Sequence, residues 1–190
     1  NLRRVLGDRV ADTPVLVLGR EAVGLDPAAC AVDALALGAA LSGCAAHRPH
    51  AAAGCAACAH GLEAALAGYG GGFLDGLALD DSPAFEEWAA RTREGYVRMA
   101  LQGLQTLGEH ALARGEYERA RGAARRQLEL DPLHEAGHRQ LMEAHARSGR
   151  RAAALRQYLR CAGALEQELG VPPADETTRL YEQIKAHGLA

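Results

Sequence analysis

The stretch LQTLGEHALARGEYERARGAARRQLELDP, residues 104–132, decides the fold of this chain. Apolar and small residues recur at helical spacing on both sides of Gly115, and Pro132 ends the pattern, which predicts two helices joined by a tight turn. A shift of 34 residues places Gly149 on Gly115, so the unit recurs. Two more pairs coincide at this shift, Leu141 with Leu107 and Ala154 with Ala120, before the match fades at Ala164.

A period of 34 residues is that of the tetratricopeptide repeat, and the first unit is similar to that motif. The matching positions carry its large, small and turn residues: Leu104, Leu107, Gly108, Ala111, Gly115, Tyr117, Ala120, Ala124 and Pro132. The second unit matches the motif less well, because Arg151 stands where Tyr117 stands in the first unit. A last helix would carry Leu180, Tyr181 and Ile184 on one face, and we expect it to cap the apolar end of the stack.

The composition supports an all-α fold. Apolar residues make up 48% of the chain but aromatic residues only 4%, so alanine, leucine and valine must fill the core. A net charge of −3 is unusual for a free-standing nucleic-acid binder. No apolar run is long enough to predict a membrane helix. The odd number of cysteines, 5, predicts reduced thiols in a cytoplasmic protein.

Local patterns predict the remaining elements. Residues 14–18 and 21–25 flank Gly19-Arg20 as a β-hairpin would. Helices are expected over 32–41 and 55–69, with a loop at 42–54, and the longest helix runs from Ser82-Pro83 to near Gly115. We expect five residues in the core: Phe85, Trp88, Tyr117, Leu141 and Tyr158. If Trp88 is buried, its replacement by alanine should cost roughly 3–5 kcal/mol.

Residues 73–184 resemble the bacterial transcriptional activator domain of the antibiotic-regulatory-protein type of transcription regulators. The resemblance rests on stretches in a fixed order: Tyr69–Leu77, Asp81–Trp88, Leu130–Glu135, His138–Met142, Gly149–Tyr158 and Leu165–Pro172. In this family a winged helix-turn-helix of the response-regulator (OmpR) type precedes the activator domain. Residues 1–8 resemble the end of its recognition helix, and the hairpin resembles its wing, although Val23-Gly24-Leu25 departs from the Gly-Tyr-Arg-Leu often found there.

The resemblance implies two regions, the truncated end of the winged helix-turn-helix at 1–27 and a tetratricopeptide-like activator domain at 28–190. The resemblance also implies that this fragment of a transcription regulator is non-catalytic. Its partners would be a second copy of the chain, the transcription machinery or other domains, and it would contact DNA only through the intact winged domain. Arg3, Arg4 and Arg20 are the candidate DNA contacts of the parent protein. No catalytic residue, cofactor, metal or membrane contact is expected. The alternative is a scaffold domain of a larger signalling ATPase or cyclase, with a winged helix that no longer binds DNA.

One motif offers a metal hypothesis. His47, His50, Cys55 and Cys58 lie within twelve residues and are ligand types that zinc prefers. The other interpretation is that the two cysteines are small apolar residues of a helix. Elemental zinc analysis of protein never exposed to a chelator distinguishes the two.

A second motif matches the zinc-peptidase pattern literally, as His134-Glu135-Ala136-Gly137-His138. The repeat phase instead places His134 at the start of a repeat helix, and Ala144 occupies the position of a third ligand in one peptidase class. We therefore expect a structural role for this motif. The concave groove of the stack is left with two interpretations, a peptide-binding surface or one filled by the chain's own last helix.

Overall fold

The computed structural model describes residues 2–5, 8, 14–20, 22–46, 55–70, 72–79 and 81–187. It begins with a single helical turn, α1 (Leu2–Val5), followed by an antiparallel hairpin of β1 (Leu16–Leu18) and β2 (Val23–Leu25). Leu18 pairs with Val23, and the Gly19 N–H donates to the Ala22 carbonyl oxygen at 2.8 Å. The predicted hairpin is therefore present, with Gly19 between the strands as predicted, but four residues separate the strands instead of two.

Seven helices form most of the rest of the described chain. They are α2 (Asp33–Ala46), α3 (Ala56–Gly68), α4 (Pro83–Ala113), α5 (Tyr117–Leu130), α6 (Glu135–Arg147), α7 (Arg151–Leu169) and α8 (Asp175–His187). The prediction of a loop from residue 42 was wrong, because α2 continues through Cys44, whose side chain is buried. Pro83 starts α4 as predicted, but Ser82 makes no side-chain capping bond. Within these ranges, no helix combines the length and the apolar character needed to cross a membrane.

The two glycine turns of the repeat are equivalent. Gly115 and Gly149 have φ angles of 71° and 76°, in the left-handed region that favours glycine. The Glu116 N–H donates to the Ala111 carbonyl at 2.8 Å, and the Arg150 N–H donates to the His145 carbonyl at the same distance. Each turn thus closes the C-terminus of one helix with the same pattern of bonds and leads into the next. The repeat predicted from the sequence is confirmed.

Three apolar clusters hold the helices together. The largest joins α2, α3 and α4 around Leu37, Leu62, Leu66 and Leu104. A second, small-residue cluster joins α4, α5 and α6. In the third, Ile184 of α8 packs on α6 and α7, with Leu180 and Tyr181 beside it. The prediction that the last helix caps the stack is confirmed.

The assignment of Trp88 to the core was wrong, since its side chain is 46% exposed. It lies on the N-terminal part of α4, where its ring contacts Phe73 with a centroid distance of 5.5 Å and Phe85 at 5.6 Å. Leu141 is buried as predicted, whereas Phe85, Tyr117 and Tyr158 are half-buried. The periodic stripe on α4 indicated one buried face, but apart from Ala89 the buried residues of α4 lie between Ala100 and Leu112.

Replacing Trp88 by alanine should therefore have a modest effect. Because the side chain is 46% exposed in the folded chain, the substitution removes only about half of the buried contacts of a fully buried tryptophan, among them those with two aromatic rings. We expect the free energy of unfolding, measured by urea denaturation, to fall by about 1–2 kcal/mol for Trp88→Ala. A loss of about 3–5 kcal/mol, as for a fully buried aromatic side chain, would contradict the exposed position.

Candidate interaction surfaces

The N-terminal turn and the hairpin form one small unit. The buried carboxylate of Asp8 accepts hydrogen bonds from the backbone N–H groups of Val15 and, at 3.1 Å, of Leu16. Its other oxygen lies 3.5 Å from Nε of Arg3. Arg4 is exposed, and so is Arg20, which lies near the turn of the hairpin. Of the three arginines predicted to contact DNA, Arg3 is thus engaged in holding the unit together, whereas Arg4 and Arg20 are exposed and form no ion pair with a side chain that the structure describes.

Two residues of the zinc-peptidase pattern, Glu135 and His138, have structural partners, whereas Nε2 of His134 is shielded from water and has no hydrogen-bond partner among the described residues. His138 is buried, and both of its ring nitrogens are used: Nε2 lies 3.0 Å from the Pro132 carbonyl oxygen, and Nδ1 lies 2.7 Å from Nε2 of Gln157. The Glu135 carboxylate accepts hydrogen bonds from the backbone of Ala174 at 3.0 Å and from Oγ1 of Thr177 at 2.6 Å. These bonds fix the entrance of α8 on α6, which agrees with the structural role expected for the motif.

Three thiols meet where α2 approaches α3. The thiol of Cys58 forms hydrogen bonds with those of Cys44 and Cys55. Burial, and then these hydrogen bonds, raise the pKa of Cys58 to about 12, so this thiol is protonated at neutral pH. Cys44 was not among the predicted ligands, because the helix that carries it was expected to end earlier.

His47 and His50 lie outside the described residues, so the four-ligand zinc hypothesis stays a prediction. Among the residues that the structure does describe, no group of three or more His, Cys, Asp or Glu side chains is placed to hold a metal ion.

Buried polar side chains tie the repeat units together. Gln127 of α5 donates from Nε2 to Oε1 of Gln140 at 2.7 Å, and Nε2 of Gln140 donates to the Gln105 carbonyl at 2.9 Å. Arg121, only 2% exposed, forms an ion pair with Glu118 and donates to Oγ of Ser148 at 3.0 Å. These contacts join α4, α5 and α6, and sequence reasoning missed them because polar residues on a helix are ordinarily placed in solvent.

Two histidines of the stack are held in their neutral form. Burial lowers the pKa of His134 below its ordinary value of 6.5. Burial also lowers the pKa of His145, and the positive charges of Arg121, Arg125 and Arg150 lower it further. The unfolded chain binds protons at these positions at a higher pH than the folded chain does. The folded chain therefore keeps its full stability with respect to these two histidines above pH 6.5, where both states hold them neutral. Its stability falls as the pH drops below 6.5 towards the lowered pKa values, because the unfolded chain then binds protons first.

Acidification from neutral pH to about pH 5 should thus lower the melting temperature before the carboxylates titrate. We expect a fall of only a few degrees, because both rings are half-buried and solvent reduces the effect. The double variant His134→Gln/His145→Gln should show a flatter dependence over the same interval in differential scanning calorimetry. An identical dependence in the two proteins would exclude these histidines as its source.

Consecutive helical hairpins with matching glycine turns, joined by structural polar contacts, define a helical-repeat module of the kind that presents surfaces to partners. The profile of the bacterial transcriptional activator domain matches residues 33–185. The chain belongs to this family of transcription-regulator domains.

A solved structure, Mycobacterium tuberculosis EmbR in complex with a low affinity phosphopeptide, is similar with a TM-score of 0.70 and 23% sequence identity. The match covers 100% of this chain and 48% of that chain, so this chain spans about half the length of its structural neighbour. At this identity the likeness establishes the fold alone. No curated protein matches the sequence.

Proposed function

We propose that this chain mediates self-association or contact with the transcription machinery in a cytoplasmic regulator whose intact form holds promoter DNA through a winged helix-turn-helix. The observation that carries the proposal is the family match, which runs from the start of α2 to residue 185 in α8. In this proposal residues 28–190 are the activator domain, and residues 1–27 are the end of the winged domain.

The geometry of the N-terminal unit supports this division. A helical turn is followed by a short antiparallel hairpin, and the Asp8 carboxylate joins the two. This is the order in which a recognition helix and a wing follow one another in winged helix-turn-helix proteins. Arg4 and Arg20 would meet phosphates in the intact protein, while Arg3 would contribute mainly by pairing with Asp8.

A reporter assay in bacteria tests the activator role. The complete 190-residue chain is fused to an unrelated DNA-binding domain that recognises a site upstream of a weak promoter. We expect transcription to rise with the fusion and to stay at the basal level when that site is deleted. In parallel, light scattering of the unfused chain over a concentration series reports self-association. A silent reporter together with a strictly monomeric chain would refute the proposal.

The alternative is a scaffold role in a larger signalling ATPase or cyclase, with the winged helix no longer binding DNA. The reading frame of the intact protein separates the two functions. A complete, basic helix-turn-helix upstream favours the regulator, whereas a long nucleotide-binding region downstream favours the scaffold.

A further inference from the structure

The two sides of the helical stack differ. Helices α4, α6 and α8 contact one another in succession, whereas α5 and α7 make at most marginal contact. The last helix therefore extends the α4–α6 row and leaves the other side open. A groove of about 500 Å³ runs between α5 and α7, with α6 beneath it, which is within the range of volumes of about 300–1,000 Å³ common for ligand sites.

The polar side chains on the floor of this groove are hydrogen-bonded to each other. His138 and Gln157 are both buried there, and the ring nitrogens of His138 contact the Pro132 carbonyl oxygen and Nε2 of Gln157. Leu128, Leu141 and Ala164 supply the apolar part of the lining. A ligand can thus bury apolar groups on this floor without breaking existing hydrogen bonds, which favours a peptide over a simple inorganic anion.

The walls of the groove carry unpaired positive charge. Arg125 projects from α5 and Arg160 from α7, both exposed, and neither forms an ion pair with any side chain in the described ranges. Most other arginines of α4 to α6 are paired with a carboxylate, as Arg119 and Arg147 are. Against these two arginines, the groove lining contains one carboxylate, that of Glu129. The charge balance therefore favours an anionic occupant.

The charges around His145, which also lines the groove, support the same conclusion. Arg121, Arg125 and Arg150 act on its ring with positive charge, and the opposing charge of Glu118 has the smaller influence. The surroundings of this residue therefore carry more positive than negative charge.

We propose that the groove between α5 and α7 binds an acidic peptide segment of a protein partner, with Arg125 and Arg160 contacting its carboxylates from opposite walls. The inference rests on the proposed function as an interaction domain and adds to it a surface and a partner chemistry. Recognition of duplex DNA at the same place is the competing result that the test must separate.

The test is an NMR titration of the isotopically labelled chain with a blocked hexaglutamate peptide at low ionic strength. We expect chemical-shift changes in 125–129, 141–145 and 157–164, and affinity that falls as salt is added. The variant Arg125→Glu/Arg160→Glu should weaken binding by about tenfold or more. The control variant Arg156→Glu/Arg179→Glu has the same charge change on exposed residues outside the groove lining, and it should bind within about twofold of the unmodified chain.

Three results would overturn the proposal: no binding of hexaglutamate, chemical-shift changes centred outside the groove, or an equal loss of affinity in the two double variants. Preferential binding of a DNA duplex over the peptide, abolished by Arg125→Glu/Arg160→Glu, would assign the groove to nucleic acid instead. An active reporter fusion whose chain fails to bind the peptide would remove the groove proposal and leave the activator role intact.

Discussion

Replacing Gly108 by alanine is expected to lower the free energy of unfolding by about 2–4 kcal/mol, through overpacking and a stranded polar group. A Cβ at this position of α4 would lie 2.0 Å from Oε1 of Gln140. The Gln140 side chain is buried and has two hydrogen-bond partners, so it cannot move aside without breaking those bonds. If the Gln140 side chain does move, Nε2 of the fully buried Gln127 loses the oxygen atom to which it donates a hydrogen bond. Urea denaturation monitored by circular dichroism measures the loss.

Gly122→Ala is the matched control, because a Cβ on this glycine of α5 meets no atom within 4 Å. We expect that variant to be as stable as the unmodified chain or more stable, by about 0.5–1 kcal/mol. Combining Gly108→Ala with Gln140→Ala should cost less than the sum of the single losses, since the second change removes the group that the new methyl strikes. Strict additivity, or a Gly108→Ala protein of normal stability, would show that the helices approach less closely than the structure indicates.

The repeat could be predicted because its signal is local. Gly115 and Gly149 are required where the chain turns with a positive φ, and their separation alone gives the phase of the helices. Burial along α4 is different, since it depends on which neighbours reach each turn of the helix. Trp88 has the right spacing but is 46% exposed, and periodicity alone could not show this.

The candidate surfaces were less predictable, because they bring together residues from different helices. Arg125 and Arg160 face one groove although 35 positions separate them. Their surroundings depend on the separation of α5 from α7, a property of the stack and not of either helix. Likewise Cys44 reaches Cys58 only because α2 continues past the end predicted for it. The DNA contacts assigned to Arg4 and Arg20 stay a prediction about the intact protein.

Replacing Ile184 by alanine is expected to cost about 2–5 kcal/mol, because this side chain is fully buried and leaves a cavity. It packs against Met142, Ala146 and Ala154, three residues of α6 and α7. The backbone around it is fixed by Arg151, whose Nε donates to the Ile184 carbonyl at 3.0 Å. Because α8 packs on the end of the stack, we expect the loss to concentrate on its docking.

Hydrogen exchange followed by mass spectrometry distinguishes local undocking from global loss of stability. In the Ile184→Ala protein, amides of α8 should exchange first and those of α4 to α6 should stay protected. Leu159→Ala on α7 is the control, since that side chain is 62% exposed and its loss should change stability by no more than about 0.5 kcal/mol. If the substitution accelerates hydrogen exchange equally in every helix, the stack unfolds as one cooperative unit. Coupling between neighbouring hairpins would then exceed the stability of the cap, and α8 could not be described as a separable end of the repeat.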